Sequence, residues 1–148
     1  MESSKRTQIT IDADIHAPVE KVWKLWSNPE DIKQWNNASD DWHTTKAEND
    51  LRPGGKFLSR MEAKDGSMGF DFWGVYDTVE TNKFIEYTLG DERKVKTYFT
   101  SKGAATQMTV IFEAEETNPI EMQRGGWQAI LNNFKKYAEA NIDKQDPC

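Results

Sequence analysis

From Asp41 to Glu115 the chain keeps close to a two-residue alternation of apolar and polar side chains, which narrows the folds open to it. That period sends successive side chains to opposite faces of a strand. Breakers divide the run into about six strands. They are Arg52-Pro53-Gly54-Gly55, Asp65-Gly66, Glu80-Thr81-Asn82-Lys83, Gly90-Asp91 and Lys102-Gly103. Asp-Gly is a strong hairpin signal, because a type I′ turn needs positive φ. Hairpin after hairpin dictates an antiparallel meander, with no segment long enough for a parallel crossover.

Both ends of this run differ from it. Ile9, Ile11, Ala13 and Ile15 alternate with Gln8, Thr10, Asp12 and Asp14, as in a half-buried strand, bringing the total to about seven. Pro18 then opens a helix, where its missing N–H costs nothing. Val19, Val22, Trp23 and Trp26 give that helix one apolar face. Asn28-Pro29 repeats the start signal, with Asn28 as cap and Glu30 and Asp31 near the positive end of the dipole. This second helix is short and ends around Trp35. Pro119 sets off a last helix expected to reach about Asn141. Its inward stripe is Gln123, Trp127, Ile130, Leu131, Phe134, Tyr137 and Ala138. Gly125-Gly126 costs this helix roughly 1 kcal/mol per glycine relative to alanine, which points to close approach of the helix to the sheet or to a ligand. Apart from a frayed tail, Asp143 to Cys148, there is no linker, repeat or low-complexity segment. The 148 residues read as one α+β domain, 1–148, with an ordered core of about 7–141.

Composition excludes several functions. No apolar run approaches the roughly 18 residues of a membrane span. The start, Met1 to Thr7, lacks the apolar stretch of a signal peptide. Cys148 is the single cysteine, which rules out a disulfide framework within the chain and favours a reducing, cytoplasmic setting. The net charge is −6 and the basic residues are scattered, which argues against nucleic acid. Trp23, Trp26, Trp35, Trp42, Trp73 and Trp127 are many for so short a chain. They either fill a large shared core or line an aromatic pocket.

Three motifs sharpen the picture: Ala17-Pro18-Val19-Glu20-Lys21-Val22-Trp23, then Pro29 through Trp35, then Asp50-Leu51-Arg52-Pro53-Gly54-Gly55-Lys56-Phe57. With them the chain resembles the START and birch-pollen-allergen (SRPBCC) superfamily. Within it, Asp65-Gly66, Gly74-Val75-Tyr76 and Gly126-Trp127 resemble the branch named after the activator of heat-shock-protein-90 ATPase. The resemblance runs from about Thr7 to Ala140. It implies a helix-grip fold, a curved antiparallel sheet of about seven strands wrapped around a long C-terminal helix, with two short helices after the first strand. Members of the superfamily bind lipids, hormones and polyketides, and a few are cyclases or hydrolases.

Parity along the strands gives an expected pocket lining. Phe57, Ser59 and Met61 share a face, as do Phe70, Phe72, Gly74 and Tyr76. The charged residues take the other side, so these sets point inward. Tyr87, Thr97, Phe99 and Met108 follow from the later strands, with Trp35 from the second short helix and Trp127, Ile130, Leu131 and Phe134 from the last. Gly74 in mid-strand leaves volume or lets another group approach. Trp73 and Leu58 fall on the outer face, where a bulge or a dimer contact would account for them.

That lining suits a hydrophobic or aromatic small molecule, oriented by hydroxyls. No catalytic residue is assigned. His16 sits at a strand-to-helix corner, and His43 is a candidate at the cavity mouth. Neither has a partner at metal-ligand spacing, so no metal or other cofactor is expected. Two alternatives remain open: a polyketide cyclase-like enzyme using Tyr76 or Tyr87, and a co-chaperone-like domain presenting an apolar patch around Trp73 and Leu58. Co-chaperones of the named type carry a further N-terminal domain, so a chaperone partner is the weaker expectation. Homodimerisation is compatible with the fold.

Overall fold

The structure, a computed structural model, describes residues 7–37 and 40–140. The expected helix end at Asn141, the tail from Asp143, and Cys148 lie outside the described residues. In chain order the elements are β1 (Gln8–Ile15), α1 (Val19–Ser27), α2 (Pro29–Trp35), β2 (Trp42–Asn49), β3 (Lys56–Ala63), β4 (Gly69–Glu80), β5 (Phe84–Leu89), β6 (Lys94–Lys102), β7 (Ala105–Glu113) and α3 (Ile120–Ala140). The seven strands form one antiparallel sheet in the order β1-β7-β6-β5-β4-β3-β2. All five breaker segments fall at turns between consecutive strands, and the sheet curls around α3 as the helix-grip expectation requires.

The alternation becomes packing directly. β1 is exposed and buried in strict turn, and β7 buries every second residue. Ile9, Ile15, Val95, Met108 and Phe112 close on Val22 and Leu25 of α1 and on Leu131, Phe134 and Ala138 of α3. Each large aliphatic side chain so buried contributes about 1.5–3 kcal/mol of transfer free energy. Helix α3 runs 21 residues despite Gly125-Gly126. Close approach to the sheet is not found there, since a Cβ built at either glycine meets nothing within 4 Å. The helix is held instead by tertiary packing of its apolar stripe, the usual source of helix stability in a folded domain.

Polar contacts fix how α3 sits. Gln123 is buried and clamps the connection from β7: its Oε1 accepts from the Glu115 N–H, and its Nε2 donates to the carbonyls of Glu115 and Asn118. Along the outer edge of β1, Arg124 donates to the Thr10 carbonyl, Gln128 to Asp12 and Lys135 to Asp14. Glu139 accepts from the His16 N–H and lies 3.1 Å from the exposed His16 ring. The final helix thus satisfies the backbone groups that an edge strand leaves unpaired.

The Arg52–Gly55 turn is stitched to β4. The Gly54 N–H donates to the Tyr76 carbonyl, and the Tyr76 N–H donates to the Gly55 carbonyl. Gly54 has φ +85°, which glycine adopts without penalty. A register shift follows in β4, between Tyr76 and Thr78. The motif therefore does more than turn the chain, because it fixes where Tyr76 stands on the concave face.

Candidate functional site

Between the concave face and α3 lies a cavity of about 490 Å³. Of the residues expected from parity, Trp35, Phe57, Ser59, Met61, Phe70, Phe72, Tyr76, Tyr87, Thr97, Trp127, Ile130 and Leu131 line it. Gly74, Phe99, Met108 and Phe134 do not. A Cβ on Gly74 would stand 2.8 Å from the Thr88 carbonyl oxygen and 2.9 Å from the Phe57 ring, so the position serves close approach and adds no volume. Phe99 is covered by Trp23 and Trp26 of α1, with ring centroids 5.1 and 6.3 Å away. Met108, its register partner on β7, is fully buried at the same end of the sheet. Phe134 packs edge-on against Trp26 and Trp35, at 4.9 Å from each.

Aromatic rings form most of the wall. Trp26 and Trp35 stack at 4.7 Å, and the Trp35 Nε1 donates to the Leu25 carbonyl. The Phe57 ring is central, within 6 Å of Phe72, Tyr76 and Tyr87. Trp127 stacks on Phe112 at 4.0 Å, its rings nearly parallel. Phe70 is 48% exposed and leans on Trp42, so the cavity reaches solvent at the rim these two define. His43, the candidate beside Trp42, is not among the lining residues.

Outside the expected lining, Ile32, Asn36, Trp42, Glu48, Asn49, Arg93 and Glu115 also border the cavity, as do Ile11, Trp26, Val110 and Gln123, which stand on faces that the alternation and the helical stripes already turn inward. Several form a polar margin whose members hold one another. Asn36 Nδ2 donates to the Ser59 hydroxyl at 3.2 Å, and Asn133 of α3 holds the Trp35 carbonyl at 3.0 Å. The Tyr76 hydroxyl donates to Asn49 Oδ1 at 2.5 Å, while Asn49 Nδ2 donates to the Ser27 carbonyl. Asn36 and Asn49 sit where elements end, Asn36 as the cap closing α2 and Asn49 as the last residue of β2.

Two hydroxyls deep in the wall differ from the rest. Thr97 is 1% exposed, and its Oγ1 has no hydrogen-bond partner among the described residues. A buried hydroxyl left unpaired costs about 1–3 kcal/mol. Tyr87 is buried beside it on the neighbouring strand, and burial pushes its hydroxyl well above the ordinary value of 10. Burial raises Tyr76 in the same way, opposed by its bond to Asn49. Both phenols therefore stay protonated at physiological pH and act as hydrogen-bond donors. Among the described residues no group of three His, Cys, Asp or Glu could hold a metal ion.

Trp73 and Leu58 lie opposite each other on the convex side, as parity required. No bulge is needed to explain Trp73: its indole covers Gly90, where a Cβ would stand 2.6 Å from the ring, and Lys56 Nζ lies 5.2 Å from its centroid.

A curled sheet gripping one long helix over an aromatic-lined hollow defines a helix-grip domain of the SRPBCC kind. The family described as "Activator of Hsp90 ATPase homolog 1-like protein" matches residues 16–139, and the chain belongs to it. The AHSA1-like protein from Aeromonas hydrophila is 43% identical over 90% of this chain and 93% of its own, with a TM-score of 0.86. A protein from Cytophaga hutchinsonii is 54% identical, covering 92% of this chain and 94% of its own, with a TM-score of 0.79. A crystal structure from Chromobacterium violaceum, 20% identical, shares the fold at TM-score 0.81, covering 90% of this chain and 98% of its own. No curated protein matches the chain. No helix among the described residues is long and apolar enough to cross a membrane.

Proposed function

We propose that the chain is a small cytoplasmic binding domain that holds a hydrophobic or aromatic small molecule between the sheet and α3. The observation that carries this reading is the cavity: about 490 Å³, walled mainly by aromatic and aliphatic side chains, with a few hydroxyls and amides set among them. A site of this composition gains affinity from apolar burial and orientation from its polar groups. Filling it from the helix side tests the reading. Ile130→Trp places a large ring in the hollow from a half-buried helical position. Native mass spectrometry of the parent protein is expected to show a small-molecule adduct that is lost on denaturation. The variant is expected to lack the adduct while keeping its circular dichroism spectrum. An adduct retained by the variant moves the site elsewhere.

The cyclase-like alternative draws on Tyr76 and Tyr87, whose protonated phenols suit them to polarise a carbonyl and not to abstract a proton. Their double replacement by Phe separates the two readings, because an enzyme loses turnover where a carrier loses only affinity. The chaperone-partner alternative rests on the family's description. The exposed apolar side chains it requires are Met68 in the turn between β3 and β4, Phe70 at the cavity rim and Trp73 on the convex face, with Leu58 half-buried.

A further inference from the structure

The chemistry of the bound molecule follows from which polar groups of the cavity are already engaged. Three charged residues line it, and each has a protein partner. Arg93 Nε donates to Asp91 at 2.7 Å, and its Nη1 donates to the Glu113 carbonyl. The Glu115 carboxylate accepts from the Thr117 and Asn118 N–H groups and from Asn118 Nδ2. Glu48 is paired with Lys46 at 3.1 Å on the solvent side. A charged ligand group would have to displace these contacts before it could offset its own desolvation. The uncharged donors divide differently. The Tyr76 hydroxyl is spent on Asn49, and Gln123 is fully used by the loop it clamps.

Among the hydroxyls that line the cavity, that of Ser59 accepts from Asn36, and those of Tyr87 and Thr97 have no hydrogen-bond partner among the described residues. Both line the cavity, and the register places them on one face of adjacent strands: Thr97 pairs with Ile85, two residues before Tyr87. Resting on the binding reading above, we propose that Tyr87 and Thr97 form a subsite for an uncharged hydrogen-bond acceptor, a carbonyl oxygen carried on an aromatic or hydrophobic molecule. The carbonyl accepts from the two hydroxyls at the deep wall, while the rest of the molecule lies against Phe57, Phe72 and Trp127. A phenol that stays protonated keeps its O–H to donate, and the threonine hydroxyl gains its missing partner when the acceptor arrives.

A matched pair of probes tests this: benzophenone, which has the carbonyl, and diphenylmethane, which does not. Their dissociation constants are measured by calorimetry on the parent protein and on Thr97→Val, Thr97→Ser and Tyr87→Phe. Thr97→Val is expected to weaken benzophenone roughly five- to tenfold, with diphenylmethane changed less than about twofold. Thr97→Ser is expected to keep the parent ratio, and Tyr87→Phe to behave as Thr97→Val. The ligand-free Thr97→Val protein is expected to melt no lower than the parent, since an unpaired hydroxyl has been removed, so that a general loss of structure is set apart from a loss of the subsite. A ratio unchanged in both Thr97→Val and Tyr87→Phe overturns the inference and leaves the cavity reading intact. Failure of both probes to bind the parent also overturns it, and the adduct experiment then decides the cavity reading separately.

Discussion

At Gly74 a single missing methyl group holds two parts of the site together. The Thr88 carbonyl and the Phe57 ring both close to within 3 Å of the place a Cβ would take. Neither is free to retreat, since one belongs to the adjacent strand's backbone and the other is the central ring of the wall. Gly74→Ala is therefore expected to destabilise the protein by about 1–3 kcal/mol in equilibrium denaturation, the cost of overpacking. The sequence offered two readings of this glycine, spare volume or close approach, and only the distances choose between them. Phe57, Phe72 and Tyr76 were legible because charged neighbours fix which face of a strand turns to water. Phe99 and Met108 share that inward face yet miss the cavity. Alternation reports the side of the sheet and says nothing of which part of it α1 covers. Arg93 and Asn49 were illegible for the opposite reason. Parity assigns polar residues to solvent, and these two face inward because nearby groups satisfy their polar atoms.

At the scale of elements, the docking of α3 decides whether a cavity exists. One face of the Trp127 ring stacks on Phe112 of β7, an edge meets Phe72 of β4, and the remainder borders the hollow. Trp127→Ala is expected to cost about 3 kcal/mol, the low end for a large ring because the residue is only half-buried. A loss below about 1 kcal/mol in the same measurement would mean that helix and sheet are held by other contacts. The existence and order of every element were readable from Pro18, Asn28-Pro29, Pro119 and the five turn segments, since each breaker acts locally. The role of Gly125-Gly126 was not. Their expected contact with the sheet is absent, and no neighbouring protein atom requires glycine at either position.

For the whole molecule, binding and folding are one equilibrium. A compound that enters the cavity of the folded chain and ignores the unfolded one stabilises the protein by mass action. At ten times its dissociation constant, benzophenone should add about 1.4 kcal/mol, or roughly 3–6 °C in melting temperature for a domain of this size. Ile130→Trp is expected to show no such shift. A rise of the same size in the blocked variant would locate the binding outside the hollow.

The capped margin of β1 also governs how the molecule behaves in company. A seven-stranded open sheet has two outer strands, each able in principle to recruit a strand from another copy. Here Arg124, Gln128, Lys135 and Glu139 occupy the bonding positions along one of them. The other, β2, is broken by a register shift between Thr44 and Lys46 and carries Lys46 and Glu48 beside it. Since the four capping side chains all come from α3, the helix that roofs the hollow also keeps the sheet from polymerising. On the binding role proposed above, a change that loosens that helix is expected to release ligand and uncover an adhesive margin in the same motion, so loss of cargo and onset of aggregation should be coupled.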